Sequence, residues 1–363
     1  MTRTIVIFVF LLTSGAGICA EDEMMSVARE AHERMLINLK ANQIPDEIVA
    51  VATKLTEMDT PTRDAASKVL IANSDRKTVL NAMILAMKED DNDKRPNAGT
   101  VLVQIGAEAV TPLIDALPKN ELRSRAAWAL SQLGEKARPA IPALIQLLKS
   151  DLPVAVNDGA VALGIMGQEA KEALLPLIEA LKNPDSEVRV AVATAIKQIG
   201  PSAEHIPLLL PALKDPYMKV RSTIILTFGY MGDAGKPAIP EMIKLLKDEN
   251  AWVRMHTSAS LARFGADAKD AVPALRAALG DESGVVRGTA AMALARIQPS
   301  SDFVPDMIKL LQDQNERVRT LAQEALVTIG KVGVDDLKAA ADASGDKGLK
   351  TTLDELVRKI QAK

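Results

Sequence analysis

The sequence predicts an all-α fold, a right-handed α-solenoid of about nine short helical hairpins with a cap at each end, and three observations carry that prediction. A helix-closing glycine recurs through the chain. Gly106, Gly134, Gly167, Gly200, Gly232, Gly265, Gln298 standing in for glycine, and Gly330 follow at steps of 28, 33, 33, 32, 33, 33 and 32 residues. Such self-similarity marks a repeat array in which each unit packs on its neighbours. Within a unit the apolar spacing is helical: Val253, Thr257, Leu261 and Phe264 fall on one face that must be buried. Finally, hydrophobic residues make up 48% of the 363 residues and aromatic residues only 2%. The core is therefore built from Ala, Leu, Ile and Val, which suits close helix packing.

Taken in order, residues 1–20 read as a secretory leader. Arg3 supplies the positive region, Ile5 to Leu12 the apolar run, and Thr13 to Ala20 a small-residue stretch with cleavage expected after Ala20. The apolar run is too short for a stable membrane span, which needs about 20 residues. A periplasmic or secreted bacterial protein is expected; lipid anchoring through Cys19 is the alternative, disfavoured by the bulky Ile18 before it. Cys19 is the single cysteine, so a chain cut after Ala20 has no disulfide, thiol chemistry or cysteine metal site.

Residues 21–56 read as N-terminal capping helices. The apolar Met24, Val27, Ala28, Ala31, Met35, Leu36 and Leu39 share a helical face, and the segment from Pro45 resembles the second helix of a unit. The array occupies 57–333, and Lys247 to Ala278 shows its unit most clearly. A first helix carries Arg254 and closes at Gly265, where a left-handed residue is needed; Pro273 then opens a second helix in a first turn that needs no N–H. An arginine marks the register at Arg63, Arg95, Arg123, Arg189, Arg221, Arg254, Arg287 and Arg319, with Val156 replacing it once. Residues 334–363 supply a C-terminal cap ending in the polar amphipathic segment Leu349 to Lys363.

The period alone also fits ankyrin and tetratricopeptide repeats, but neither signature is present. The stretches DSEVRVAVATAIKQIG (185–200) and AIPEMIKLLKDENAWVR (238–254) resemble HEAT repeats, in particular the short HEAT-like repeats of phycobilisome lyases. That resemblance implies an Asp–Arg ladder between neighbouring units. It assigns the ladder to Asp215 and Arg221, Asp248 and Arg254, Asp281 and Arg287, and Asp313 and Arg319, with Glu57/Arg63 and Glu89/Arg95 as glutamate versions. Leu117, Ser150 and Asn183 stand where acids should be, so the ladder breaks in the middle. A change of superhelical curvature is expected between about residues 107 and 190.

Chemical motifs are absent. No nucleophile elbow, phosphate loop or dinucleotide fingerprint occurs, and the glycines punctuate repeats. His32, His205 and His256 lack metal-ligand spacing. A HEAT hydroxylase binds iron through repeated His-Glu pairs, whereas here one such pair occurs, His32-Glu33. His205 and His256 read as turn residues. Asn157-Asp158-Gly159 reads as the first turn of a helix at the broken rung, either a specialised surface or drift in a tolerant repeat. A net charge of −3 offers no footprint for nucleic acid. The expectation is a non-enzymatic, cofactor-free scaffold that binds a protein or peptide. Its predicted strip on the second helices contains Gln146, Glu179, Lys244 and Lys309 at one register position and Glu241 and Asp306 at another. Trp252 is added as an anchor because its register holds Glu187, Lys219, Val285 and Arg317 elsewhere. Trp128 reads as semi-buried packing. The second reading is a lyase or accessory factor for chromophore attachment.

Overall fold

A computed structural model describes residues 16–57, 59–89 and 97–362 of the chain. Residues 1–15 of the expected leader and the register arginine Arg95 lie outside the described residues. The described chain is all-α, an α-solenoid of stacked hairpins, and divides into two compact units, Met1–Ala173 and Leu174–Lys363.

The first unit begins with a long helix, α1 (Ala16–Ala41), then α2 (Asp46–Ala52), α3 (Thr60–Ala72), α4 (Arg76–Ala86), α5 (Ala98–Ile105), α6 (Val110–Ala116), α7 (Asn120–Gln132), α8 (Ile141–Leu147) and α9 (Pro153–Met166). First helices α3, α5, α7 and α9 form one layer, and the shorter α2, α4, α6 and α8 the other. Helix α1 packs against α4 and the turn after α2. There Arg34 Nε donates to Glu89 at 2.8 Å and Asn38 donates to the Leu85 carbonyl at 3.1 Å.

The second unit repeats the pattern. Its second helices are α10 (Leu174–Ala180), α12 (Ile206–Leu209), α14 (Ile239–Lys244), α16 (Val272–Ala278) and α18 (Val304–Leu310). Its first helices are α11 (Ser186–Ile199), α13 (Met218–Tyr230), α15 (Ala251–Leu261), α17 (Gly284–Ile297) and α19 (Glu316–Ile329). Two polar helices, α20 (Val334–Ala343) and α21 (Lys347–Gln361), pack on each other at the C-terminal end.

Local sequence explains each hairpin. Asp185, Asn250 and Asn315 cap their helices by accepting backbone N–H groups that the first turn leaves unpaired. Gly265 turns the chain at φ +54°, a conformation that costs other residues backbone strain. Pro142, Pro207, Pro240, Pro273 and Pro305 sit in the first turn of their short helices. Val253, Thr257, Leu261 and Phe264 are all buried, so the helical period does point inward.

Between repeats of the second unit, arginines and aspartates form a ladder of buried pairs. Arg189 grips Asp215 through Nε and Nη2 at 2.7 and 2.9 Å, Arg254 grips Asp281 at 2.7 and 2.8 Å, and Arg287 grips Asp313 at 2.7 and 2.8 Å. Arg221 reaches Asp248 through Nη2 at 2.7 Å. The ionic partner is thus the aspartate of the following repeat. The aspartate six residues earlier offers its backbone carbonyl instead, as Asp248 does to Arg254 at 2.9 Å. Each aspartate also accepts the backbone N–H two residues on, at Tyr217, Asn250, Ser283 and Asn315. One rung therefore fixes two loops and one helix. Such bidentate, charge-assisted contacts are strong and directional.

Arg189 makes a rung although Asn183 lacks a carboxylate, because the acid it needs is Asp215. In the first unit the reverse holds. Arg123 keeps the carbonyl of Leu117 at 3.2 Å and turns back to Asn120 on its own helix. Ser150 stands where the next acid would be, and Val156 is fully buried in place of the next arginine.

Arg287 donates to the Asp313 carboxylate, and this holds Asp313 below the usual carboxylate range. The unfolded group titrates near 3.9, so the rung's stabilisation is complete above that value and lost as pH falls through the lower folded one. Asp313→Asn is expected to cost about 3 kcal/mol at neutral pH, as breaking a buried pair does. In urea titrations the difference from wild type should shrink below about pH 4; a pH-independent difference would remove the rung from the stability of the fold.

Candidate functional site

The second helices carry the strip expected from the sequence, but many of its charges are already engaged. Gln146 on α8 and Glu179, Lys244 and Lys309 on α10, α14 and α18 are exposed, while Glu241 and Asp306 are half-buried. Glu241 accepts from Lys244 at 2.5 Å, and Glu179 from Lys182 at 2.8 Å. Asp306 is held by Arg276 Nε at 2.7 Å across adjacent repeats. In the second unit, α12 and α16 intervene between these positions, placing Pro211 and Ala277 where a charge would continue the row. Glu179, Glu241, Lys244 and Asp306 of the strip are thus locally neutralised.

Arg276 was not singled out by the sequence reading, although a signal exists. It stands where Ile145, Ile178, Ile243 and Ile308 stand in other repeats. Besides Asp306 it reaches the Asp302 carbonyl at 3.3 Å and lies 5.8 Å from the centre of the Phe303 ring.

Trp252 lies on the outer face of α15 with 54% of its surface exposed, and its ring centre is 6.4 Å from that of His256. His256 is within the helix, not on a turn, and is half-buried. Burial, with the nearby charge of Lys197, pushes its imidazole below the ordinary histidine range. His205 is likewise not an exposed turn residue. It is buried, and its Nδ1 meets the Ser202 N–H at 3.2 Å and the Ser202 hydroxyl at 2.8 Å, closing the turn before α12. His32 instead faces Thr56 at 3.2 Å. Among the described residues no group of three or more His, Cys, Asp or Glu side chains is placed to hold a metal ion. Among them, too, no helix is long and apolar enough to cross a membrane.

A groove that no local motif announces lies in the first unit between α4 and α6. Leu80, Ile84 and Pro112 supply its apolar lining, Arg76, Lys77 and Lys119 its cations, and Glu108 and Asp115 its anions, with Asn81 completing the wall. Its volume is about 740 Å³, within the range of small-molecule sites. Arg76 is turned toward Glu108 at 3.7 Å, whereas Lys77 and Lys119 are exposed. Leu80 and Ile84 lie buried at the floor of the groove, beneath the charged edges that α4 and the segment around α6 supply. The groove is a property of two repeats together.

The sequence pattern of HEAT repeats matches residues 110–195, 141–217, 174–238, 206–295 and 272–356, more than half of the chain. The chain belongs to the HEAT-repeat family. This HEAT-repeat protein is similar to a phycocyanobilin lyase subunit alpha from Picosynechococcus sp., with 30% identity over 176 residues, 42% of this chain and 64% of that protein. The matched region thus spans less than two thirds of the lyase subunit. Among solved structures, Kap95p with RanGDP superimposes with a TM-score of 0.60 at 15% identity, covering 98% of this chain and 55% of that one. Kap121p bound to Pho4p gives 0.57 at 14% identity, covering 87% and 40%. These two likenesses concern the fold.

The lyase relative corrects the expectation of a non-enzymatic chain. That expectation rested on missing catalytic motifs, yet a lyase subunit is similar to this chain in sequence. The absence of a short catalytic signature therefore does not separate a repeat scaffold from an enzyme subunit. The repeat part of the reading holds: the molecule is a HEAT-repeat solenoid.

Proposed function

We propose that this HEAT-repeat protein is a lyase-type subunit that takes part in joining a linear tetrapyrrole to a protein. The observation that carries the reading is its similarity over 176 residues to a phycocyanobilin lyase subunit. The α4–α6 groove supports it chemically. An elongated, largely apolar molecule with propionate arms needs an apolar floor and cations at the edge. Leu80, Ile84 and Pro112 offer the first; Lys77 and Lys119 offer the second. The acceptor would be a protein held on the solenoid surface, with the exposed Trp252 as one anchor.

Titration of the purified chain with phycocyanobilin, followed by visible absorbance and fluorescence, tests the reading. Saturable spectral change is expected, and Lys77→Glu with Lys119→Glu should weaken binding about tenfold, the equivalent of 1.4 kcal/mol. Wild-type protein that leaves the spectrum unchanged would overturn it, and equal binding by the double variant would move the ligand out of this groove.

We further infer that residues 1–20 act as an export leader. The support is the order of Arg3, the apolar run Ile5 to Leu12 and the small residues up to Ala20. N-terminal sequencing of the protein from its native host should then begin at Glu21; a chain that retains the apolar run would contradict the inference.

A further inference from the structure

The outward face of α7 and α9 in the first unit departs from the rest of the array. Val154, Asp158, Val161 and Ile165 follow at helical spacing along α9 and so share one face. The three aliphatic residues are 62%, 42% and 45% exposed, and Leu152 at the start of the helix is 49% exposed. Together they leave on the order of 300 Å² of apolar surface in water, an area at which a patch on a soluble protein is often functional. Trp128, half-buried on α7, occupies the register position that Val161 holds on α9 and extends the patch sideways.

Within this patch stands one carboxylate. Asp158 is the single ionisable residue of α9 and is half-buried. Its Oδ2 accepts from the Ser124 hydroxyl at 2.7 Å, across the two helices. No hydrogen bond engages Oδ1 among the described residues. Burial pushes the Asp158 carboxyl up, with Ser124 and the nearby Arg123 charge offsetting only part of that cost. Arg123 is itself committed to Leu117 and Asn120. The helix is seated firmly below the patch: a Cβ on Gly159 would lie 2.9 Å from the Leu144 carbonyl oxygen and from Leu147 Cβ, so only glycine permits this approach.

The same helix has lost its ladder arginine to the buried Val156, which leaves Asp158 as its only charge. Oδ1 remains open to solvent, and a partner covering the exposed aliphatic side chains around it would strip that water away, a cost that a donor on the partner must offset. Complementary chemistry is therefore apolar with one central cation. We propose that this face docks a protein segment whose apolar side chains surround a single lysine or arginine, with the cation seated on Asp158.

The test uses the full chain carrying Trp252→Phe, so that Trp128 is the only tryptophan and reports on the patch. The probes are three stapled helical peptides with one leucine-lined face and, at its centre, lysine, norleucine or glutamate. The lysine peptide should change Trp128 fluorescence and bind at least about tenfold more tightly than the glutamate peptide. Asp158→Asn, which keeps the shape and the Ser124 contact, should remove the lysine preference while sparing the norleucine peptide. Ile165→Glu should weaken both. Equal binding of all three peptides, or an unchanged lysine preference in Asp158→Asn, would overturn the proposal. So would a concentration-dependent dimer abolished by Ile165→Glu, which would assign the face to a second copy of this chain.

Discussion

The guanidinium of a first-helix arginine, shared between its own loop and the aspartate of the next repeat, is the contact on which the second unit depends. Hydrophobic packing of Ala, Leu and Val would stack these helices, but small apolar side chains fix rotation and register poorly. The rung removes that freedom. Arg254 binds two carbonyls of the loop before its helix and, at the same time, both oxygens of Asp281. Asp281 in turn closes its own loop through the Ser283 N–H. Burial of such a pair costs desolvation, and satisfying nearly every donor and acceptor offsets it.

Where the rung is absent, other arrangements become possible. Ser150 and Val156 remove the acid and the base in the same neighbourhood, so neither is left buried and unpaired. Helix α9 is then held by aliphatic packing and by the close approach at Gly159, and its outer face is free to carry Val154, Asp158, Val161 and Ile165. The array thus has stretches specified by ionic register and one in which surface chemistry has been altered. The boundary between the two compact units also falls after this helix.

The hairpin architecture was legible in the sequence because its determinants are local: glycine at the turn, proline in the next first turn, and an apolar period of a helix. The ladder residues were legible too, as Asp–Arg spacing, and so was a ladder running between neighbouring units. The six-residue spacing did not say which contact is which: the side chains pair across repeats, and the within-repeat contact uses a backbone carbonyl. His205 and His256 were misread for a related reason. A polar residue near a proline or a loop looks exposed in one dimension, yet His205 is buried with its ring on Ser202, and His256 is half-buried within α15.

The candidate surfaces were less legible because they arise between repeats. The α4–α6 groove joins Lys77 to Lys119 across forty-two positions and carries no motif that a linear reading could find. The likeness to lyases was legible in the repeat pattern of 185–200 and 238–254, and the lyase subunit bears it out; what the sequence lacked was a cluster of catalytic residues to give that likeness weight over a non-enzymatic reading. Gln146, Glu179, Lys244 and Lys309 are exposed on their helices, but the intervening Pro211 and Ala277 interrupt the row they would form.

A double-mutant cycle on Arg254 and Asp281 tests the central claim most directly. With Arg254→Met, Asp281→Leu and the combination compared by urea unfolding, a coupling energy of about 2 kcal/mol is expected, because either single change strands a buried charge and the pair together does not. Strictly additive losses would contradict the account and leave apolar packing as the sole source of register.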